Sequence, residues 1–284
     1  MEENSVRLPV DIAENYNRYF ASHLYDKRYP HPNLLGLSII IREIRTQGRR
    51  ILDFGCGNGR YTAPLLECTN ATITAYDISR VAITELSSRC VRHIVTGRLH
   101  PVLGDLIVLT NAAVASGEQF DLAIMMFGVL GHIPSQALRR QTLTTIRNLL
   151  RPGGRLVVTV PNIGRRFPQQ QLVAQRLVQQ GYLEPGDILY QRTADHITVE
   201  MYYHLYTLKE FVSELDAVGF RLVDLRAESF LPESCVVKSV LLRWLDRASA
   251  AVSPLRYAYG FLAVAEVAAA PDQAARAPYP TDDR

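Results

Sequence analysis

The stretch Ile51-Leu52-Asp53-Phe54-Gly55-Cys56-Gly57-Asn58-Gly59 decides the fold. A short apolar run meets an acid and then a turn with glycine at every second position. Glycine lets the backbone bend sharply and come close to a ligand, because no Cβ intervenes. A strand hands over to a helix in this way beside a bound molecule. The spacing G-x-G-x-G departs from the G-x-G-x-x-G fingerprint of dinucleotide sites. The acid ahead of the turn would repel a pyrophosphate and favours a ligand with an ammonium group.

Working outward, strands and helices alternate. Ala71 to Tyr76 reads as a second strand, closed by Asp77. His93 to Thr96 and Pro101 to Leu103 are weaker strand signals, and the latter leads into Gly104-Asp105-Leu106. Phe120 to Met126 is apolar nearly throughout, as a central parallel strand should be. Ser135 caps a helix whose inner face is Leu138, Thr142, Ile146 and Leu149, and Pro152-Gly153-Gly154 stops it. Arg155 to Val160 is a fifth strand. Thr207-Leu208-Lys209-Glu210 fits a capping box, Gly219 ends that helix, Phe220 to Arg226 is a sixth strand, and Gly260 to Val267 the last. The alternation predicts an α/β fold with a doubly wound, mostly parallel, seven-stranded sheet.

Three segments stand outside this rhythm. Residues 1–48 form a helical extension: Tyr16, Tyr19, Phe20 and Leu24 share a helix face, the prolines at 30 and 32 break it, and a second helix runs from Leu34 to Arg45 before Gly48. Residues 163–206 interrupt the core with a glutamine-rich helix and a β-branched, aromatic stretch from His196 to Tyr206, a candidate substrate lid. The core thus comprises 49–162 and 207–270, and the Ala- and Pro-rich tail at 271–284 is expected to be disordered. One domain accounts for all 284 residues.

Composition narrows the class. With 48% hydrophobic residues and a net charge of +3, the chain buries a core and lacks the basic excess of a dedicated nucleic-acid binder. Cys56, Cys68, Cys90 and Cys235 are scattered without a C-x-x-C pair, which points to reduced thiols in the cytoplasm and to no metal site. No apolar run is long enough for a membrane span.

Three acids, Asp53, Asp77 and Asp105, end successive strands. Asp77 is placed to accept both hydroxyls of a ribose and Asp105 to accept from an adenine amino group. Each alone reads as a turn or cap residue; three in register are hard to explain so. In order, Ile51 to Gly59, Tyr76-Asp77-Ile78-Ser79, Gly104-Asp105-Leu106, Phe120-Asp121-Leu122, Leu150-Arg151-Pro152-Gly153-Gly154-Arg155-Leu156, Tyr206-Thr207 and Ala217-Val218-Gly219-Phe220 resemble the motifs of class I SAM-dependent methyltransferases, a Rossmann-like superfamily. The resemblance implies S-adenosyl-L-methionine (SAM) as cofactor and S-adenosylhomocysteine (SAH) as product. It implies that Asp53, Gly55, Cys56, Gly57 and Asn58 floor the methionine part. Asp77 would hold the ribose, Ile78 the adenine face, Asp105 and Leu106 the adenine amino edge, and Met126 and Phe127 the sulfonium side. Arg60 and Tyr61 either touch the cofactor carboxylate or pack in the core.

For the acceptor side, His132 follows the fourth strand, where ligands of open sheets bind, and its ordinary pKa suits proton removal. It is a general-base candidate or a loop-ordering residue. Tyr19, on the helix that would fold over the cofactor, and His204, in the lid, complete the candidate catalytic set. Strand alternation puts Tyr202, His204 and Tyr206 on one face and Tyr203 on the other. The Asn/Asp-Pro-Pro-Tyr/Phe motif of many nucleobase amino-methylating enzymes is absent.

These features favour methyl transfer to an oxygen or nitrogen of a small-molecule metabolite, and a homodimer is compatible with them. Two readings stay open beside it. Eight arginines between Arg139 and Gly186, against Glu184 alone, read as solvated helix surface or, if several converge near the lid, as a site for a carboxylate, a phosphate or the RNA backbone of a tRNA-modifying enzyme's substrate. A non-catalytic SAM- or SAH-binding accessory protein is the third. The Trp244 stretch, with Leu241, Leu242, Leu245, Arg243 and Arg247, covers the core or lies on a membrane surface.

Overall fold

A computed structural model describes residues 11–117, 119–194 and 197–268. The first ten residues, His196 and the tail expected to be disordered lie outside the described residues. The extension is three helices, α1 (Ile12–Ala21), α2 (Leu24–Arg28) and α3 (Leu34–Gln47). Asp11 and Asn33 cap α1 and α3 by accepting the backbone N–H of Glu14 and Leu35, and Gly48 follows the last turn of α3 with φ of 141°.

The core then runs β1 (Arg50–Phe54), α4 (Thr62–Cys68), β2 (Thr72–Asp77), α5 (Arg80–Arg89), α6 (Val91–Val95), β3 (Leu99–Leu103), α7 (Leu106–Ser116), β4 (Phe120–Met125), α8 (Gln136–Leu149) and β5 (Leu150–Pro161). The interruption holds α9 (Pro168–Gln179) and a hairpin of β6 (Asp187–Ala194) and β7 (Ile197–His204). After it come α10 (Leu208–Ala217), β8 (Phe220–Ser229), α11 (Glu233–Val236), α12 (Val240–Val252) and β9 (Gly260–Val267). Seven strands form one sheet in the order β3-β2-β1-β4-β5-β9-β8. Neighbours from β3 to β5 are parallel, and β9 inserts antiparallel between β5 and β8. The α/β, Rossmann-like class expected from the sequence is the one observed.

Chain order reverses between β1 and β4, so the turns leaving them diverge and open a crevice at the carboxyl ends of the strands. Both faces of the sheet are covered. Ile51, Leu52, Ile124, Met125, Val157 and Val158 are fully enclosed, as the continuous apolar runs demand. The hairpin stands off this sheet and shares a small core with α9 made of Ala174, Leu183, Ile188, Tyr202, Tyr203 and Leu205.

Two local expectations are corrected. His93 to Thr96 is not a strand: Val91–Val95 is the helical turn α6, and β3 begins at Leu99, opposite Ile73. Val95 is 82% exposed, so its β-branched side chain finds no sheet neighbour to reward extension. The Trp244 stretch does not cover the core with its apolar face. Trp244 and Leu241 are exposed, and the side of α12 turned inward carries Asp246, which accepts the backbone N–H groups of Phe230 and Leu231, both at 2.8 Å.

Candidate active site

The glycine turn is pinned before any ligand arrives. Gly55 and Cys56 donate their backbone N–H groups to the Tyr76 carbonyl at the end of β2, at 2.8 and 3.0 Å. Asp77, next along, accepts from Gly57 through Oδ2 and from Ser79 through Oδ1, both at 2.8 Å. Gly55 and Gly57 have φ of 74° and 54°. A Cβ on Gly55 would lie 2.6 Å from Val129, and one on Gly57 would lie 3.1 Å from the Phe20 ring. Backbone without side chains therefore floors a cavity of about 330 Å³, within the usual range for small-molecule sites.

Gly55, Gly57, Asp77, Ile78, Asp105, Leu106, Met126, Phe127, Tyr19 and His132 line that cavity, as the sequence expects. Asp105 also caps α7, with Oδ1 accepting from Ile107 and Val108 at 2.9 and 3.0 Å. The remaining expected residues sit behind the wall. Asp53 accepts the Thr62 hydroxyl at 2.5 Å, and burial pushes its carboxyl up to about 7 despite that bond. Cys56 is buried with its thiol pushed up by desolvation. Asn58 donates to Asp26 and Glu85, tying the turn to α2 and α5. Tyr61 accepts from the Asn33 backbone, and Arg60 donates to the His31 carbonyl and to Glu233 at 2.7 Å. For Arg60 and Tyr61, core packing is the reading the geometry takes.

His204 needs a correction. Its ring is fully buried between Asp187, 2.7 Å from Nδ1, and Glu210, 2.9 Å from Nε2, and it does not reach the cavity. Glu184, Asp187 and His204 bring ligand-type atoms within 4.8 Å of one another, but Glu184 is taken by Arg139 and Asp187 by Tyr202. The alternation along β7 is as expected, and it is the opposite face, Met201 and Tyr203, that looks into the cavity. Tyr203 fits there because Gly128 and Gly131 leave room: a Cβ on either would strike its ring or hydroxyl.

His132 is stacked on Tyr203 at 4.1 Å between ring centroids and meets the edge of Tyr16 at 5.6 Å. Nδ1 lies 2.9 Å from the Tyr202 carbonyl oxygen, which can only accept, so Nδ1 carries the proton and Nε2 the lone pair. Burial pushes its pKa down to about 3, so the ring is neutral.

The roof is α1. Asn15 donates to the Glu200 carbonyl of β7 at 2.7 Å, and Asn17 accepts from Ser79 beside Asp77 at 2.9 Å. With Tyr25 and Tyr29 it closes an aromatic chamber over Phe127, itself held at φ of 64°. Sequence reasoning missed Tyr25, Tyr29, Tyr190 and Arg192 as wall residues and had Arg166 only as one of a run of arginines; the dense aromatics from Tyr16 to Tyr29 were the available signal. Part of the arginine run is engaged by protein acceptors, while Arg140, Arg165 and Arg176 are exposed helix or loop surface. Arg139 is 1% exposed between Glu184 and Glu214, Arg151 bonds Asp121, Arg155 bonds Glu43 and Glu266, and Arg147 bonds the Val218 carbonyl.

A family model described as a methyltransferase domain matches residues 13–225. Over 118 residues the chain is 30% identical to an O-methyltransferase, cnsE, of Penicillium expansum, a match covering 42% of this chain and 40% of that one. The chain therefore matches well under half the length of this curated relative. Among solved structures, a SAM-dependent methyltransferase of Methanosarcina mazei aligns at TM-score 0.55 and 20% identity, covering 81% of this chain and 97% of the other. The CcbJ methyltransferase of Streptomyces caelestis aligns at 0.56 and 16%, covering 84% and 91%. The 1,6-didemethyltoxoflavin-N1-methyltransferase of Burkholderia thailandensis, solved with that substrate and SAH, aligns at 0.53 and 21%, covering 92% and 93%.

Proposed function

Because the chain belongs to the methyltransferase-domain family, a SAM-dependent one by its motifs and fold, we propose that it methylates an oxygen or a nitrogen of a small-molecule metabolite. The observation that carries this reading is the roofed aromatic chamber with a neutral imidazole in its wall, reached from the glycine turn across Phe127. Its volume suits a small molecule, and Arg139, Arg147, Arg151 and Arg155 are already engaged by protein acceptors. Of the relatives above, one is named an O- and one an N-methyltransferase, which supports either acceptor atom.

The residues present fit the cofactor. Bare backbone at Gly55 and Gly57 would admit the methionine part, and among the lining residues Asp77 would hold the ribose, Ile78 the adenine face, and Asp105 with Leu106 its amino edge. Asp53 serves from behind, holding Thr62 and with it the start of α4. When bound, SAM supplies an electrophilic methyl group on a sulfonium.

The chain's part is orientation and exclusion of water, the main levers on an in-line displacement. Rings from Tyr16, Tyr19, Phe127 and Tyr203 keep the acceptor dry and facing the methyl carbon. An acceptor oxygen or nitrogen methylated there, with the sulfonium carbon–sulfur bond broken and SAH leaving as a neutral thioether, would carry a strongly acidic proton, and His132 would take it at Nε2. A base with a lowered pKa suffices for a proton shed so late. The test is incubation of the full chain and methyl-labelled SAM with metabolite extracts and with tRNA, followed by mass spectrometry. Label on a metabolite is the expected result. Label confined to tRNA, or tight SAM binding without transfer to any pool, overturns the reading.

A further inference from the structure

Two cations in the acceptor wall have no anionic partner among the described residues. The Arg166 guanidinium lies over the rings of Tyr203, Phe167 and Tyr259, at 5.4, 5.4 and 4.7 Å from their centroids. Arg192 lies over Tyr190 and Phe167 at 4.7 and 5.7 Å. Phe167 is shared, so both charges rest on one aromatic shelf, and both line the cavity. Neither makes a hydrogen bond or ion pair with any acceptor among the described residues, and Nε of Arg166 is enclosed without a partner. The acid that acts on Arg166 through space, Glu228, does not neutralise it: burial first, then Glu233, pushes that carboxyl up to about 8.

An enclosed guanidinium costs free energy unless something compensates it. Aromatic faces supply part of that, through cation–π contact. The rest falls to whatever occupies the chamber. A bound sulfonium adds a further positive charge to the same space, and the summed potential favours an anion in the acceptor position. The forked N–H edge of arginine matches a carboxylate, and the apolar rings around it suit a weakly hydrated aromatic monoanion over a phosphate.

We propose that the acceptor is a planar aromatic molecule carrying a carboxylate, which Arg166 and Arg192 hold while Tyr190 and Tyr203 flank its ring. This rests on the methyl-transfer reading above and adds the substrate class. The arginines act as specificity residues: they fix the acid end, which leaves a hydroxyl or amino group elsewhere on the ring facing His132.

The test is calorimetric titration of the SAH-loaded chain with hydroxylated benzoate, cinnamate and naphthoate, each against its uncharged primary amide. At least one acid is expected to bind about tenfold or more tightly than its amide. In the Arg166→Gln, Arg192→Gln double variant that preference is expected to disappear, with SAH affinity within about threefold of the parent. Equal binding of acid and amide, a preference that survives in the double variant, or binding of none of the acids overturns the proposal. Failure of SAH to bind the unaltered chain strikes the methyltransferase reading instead, so the two are told apart in one series.

Discussion

The Nδ1 atom of His132 is fastened to the main-chain carbonyl of Tyr202, seventy residues further along the chain. This bond joins the turn after β4 to the inner strand of the hairpin, and it selects the tautomer that leaves Nε2 as an acceptor. The imidazole and the hairpin are therefore positioned by the same contact.

If His132 is the proposed base on the acceptor side, replacing it by alanine should lower turnover about tenfold to a thousandfold while SAM affinity stays within about threefold. Turnover and calorimetry on the same preparation check it. Unchanged turnover would remove His132 from the mechanism.

The lowered pKa of that ring gives a second expectation. With a folded value of about 3, His132 stays neutral across the working range, so the pH–rate profile shows no acid limb near 6.5 from this residue. Ring nitrogen shifts followed by NMR from pH 8 to 4 should stay those of neutral imidazole. Titration near 6 would contradict the burial argument.

Asp77→Ala should weaken SAM binding about tenfold or more, since it removes a ribose acceptor and orphans the N–H groups of Gly57 and Ser79. Asp77→Asn should fall between. An unchanged dissociation constant in the alanine variant would refute the ribose assignment.

Gly55→Ala should cost about 1–3 kcal/mol, because φ is 74° and the new methyl meets Val129 at 2.6 Å. It should also weaken SAM binding. Gly97→Ala is the control: φ is 70° with nothing within 4 Å, so it carries backbone strain alone and leaves SAM affinity intact. Equal melting temperatures for the two variants would show that the turn tolerates a side chain.

Glu228 gives a pH-dependent stability. Its carboxyl is raised from an ordinary 4.5 to about 8, so its favourable contribution is complete below pH 4.5 and is lost as pH rises through 8. Glu228→Gln lacks that loss. Its stability advantage over the parent should grow by about 3–4 kcal/mol between pH 5 and 8, read from denaturant midpoints. An advantage independent of pH would mean that Glu228 is ionised throughout.

Much of this was legible in the sequence, for local reasons. The apolar runs at Ile51 and Phe120 could only be central strands, and the glycines at 55 and 57 could only mark a turn crowded by its neighbours. Asp77 and Asp105 took their places because strand ends in this topology share one edge. The weak strand at His93 failed because short β-branched runs need a sheet neighbour, and the register gave that place to Leu99. His204 failed because strand alternation names two faces without saying which one is inward. Arg166 and Arg192 were invisible as a pair, since one lies before α9 and the other in β6.

The sequence by itself determined the α/β class, the glycine turn and the acids at the strand ends, because these follow from periodicity and from backbone sterics within a few residues. Tertiary structure alone decided that Asp53 faces Thr62, that His132 is locked to Tyr202, and that two arginines share an aromatic shelf in the acceptor wall. Those depend on contacts between segments far apart in the chain, where packing chooses which face and which partner a side chain meets.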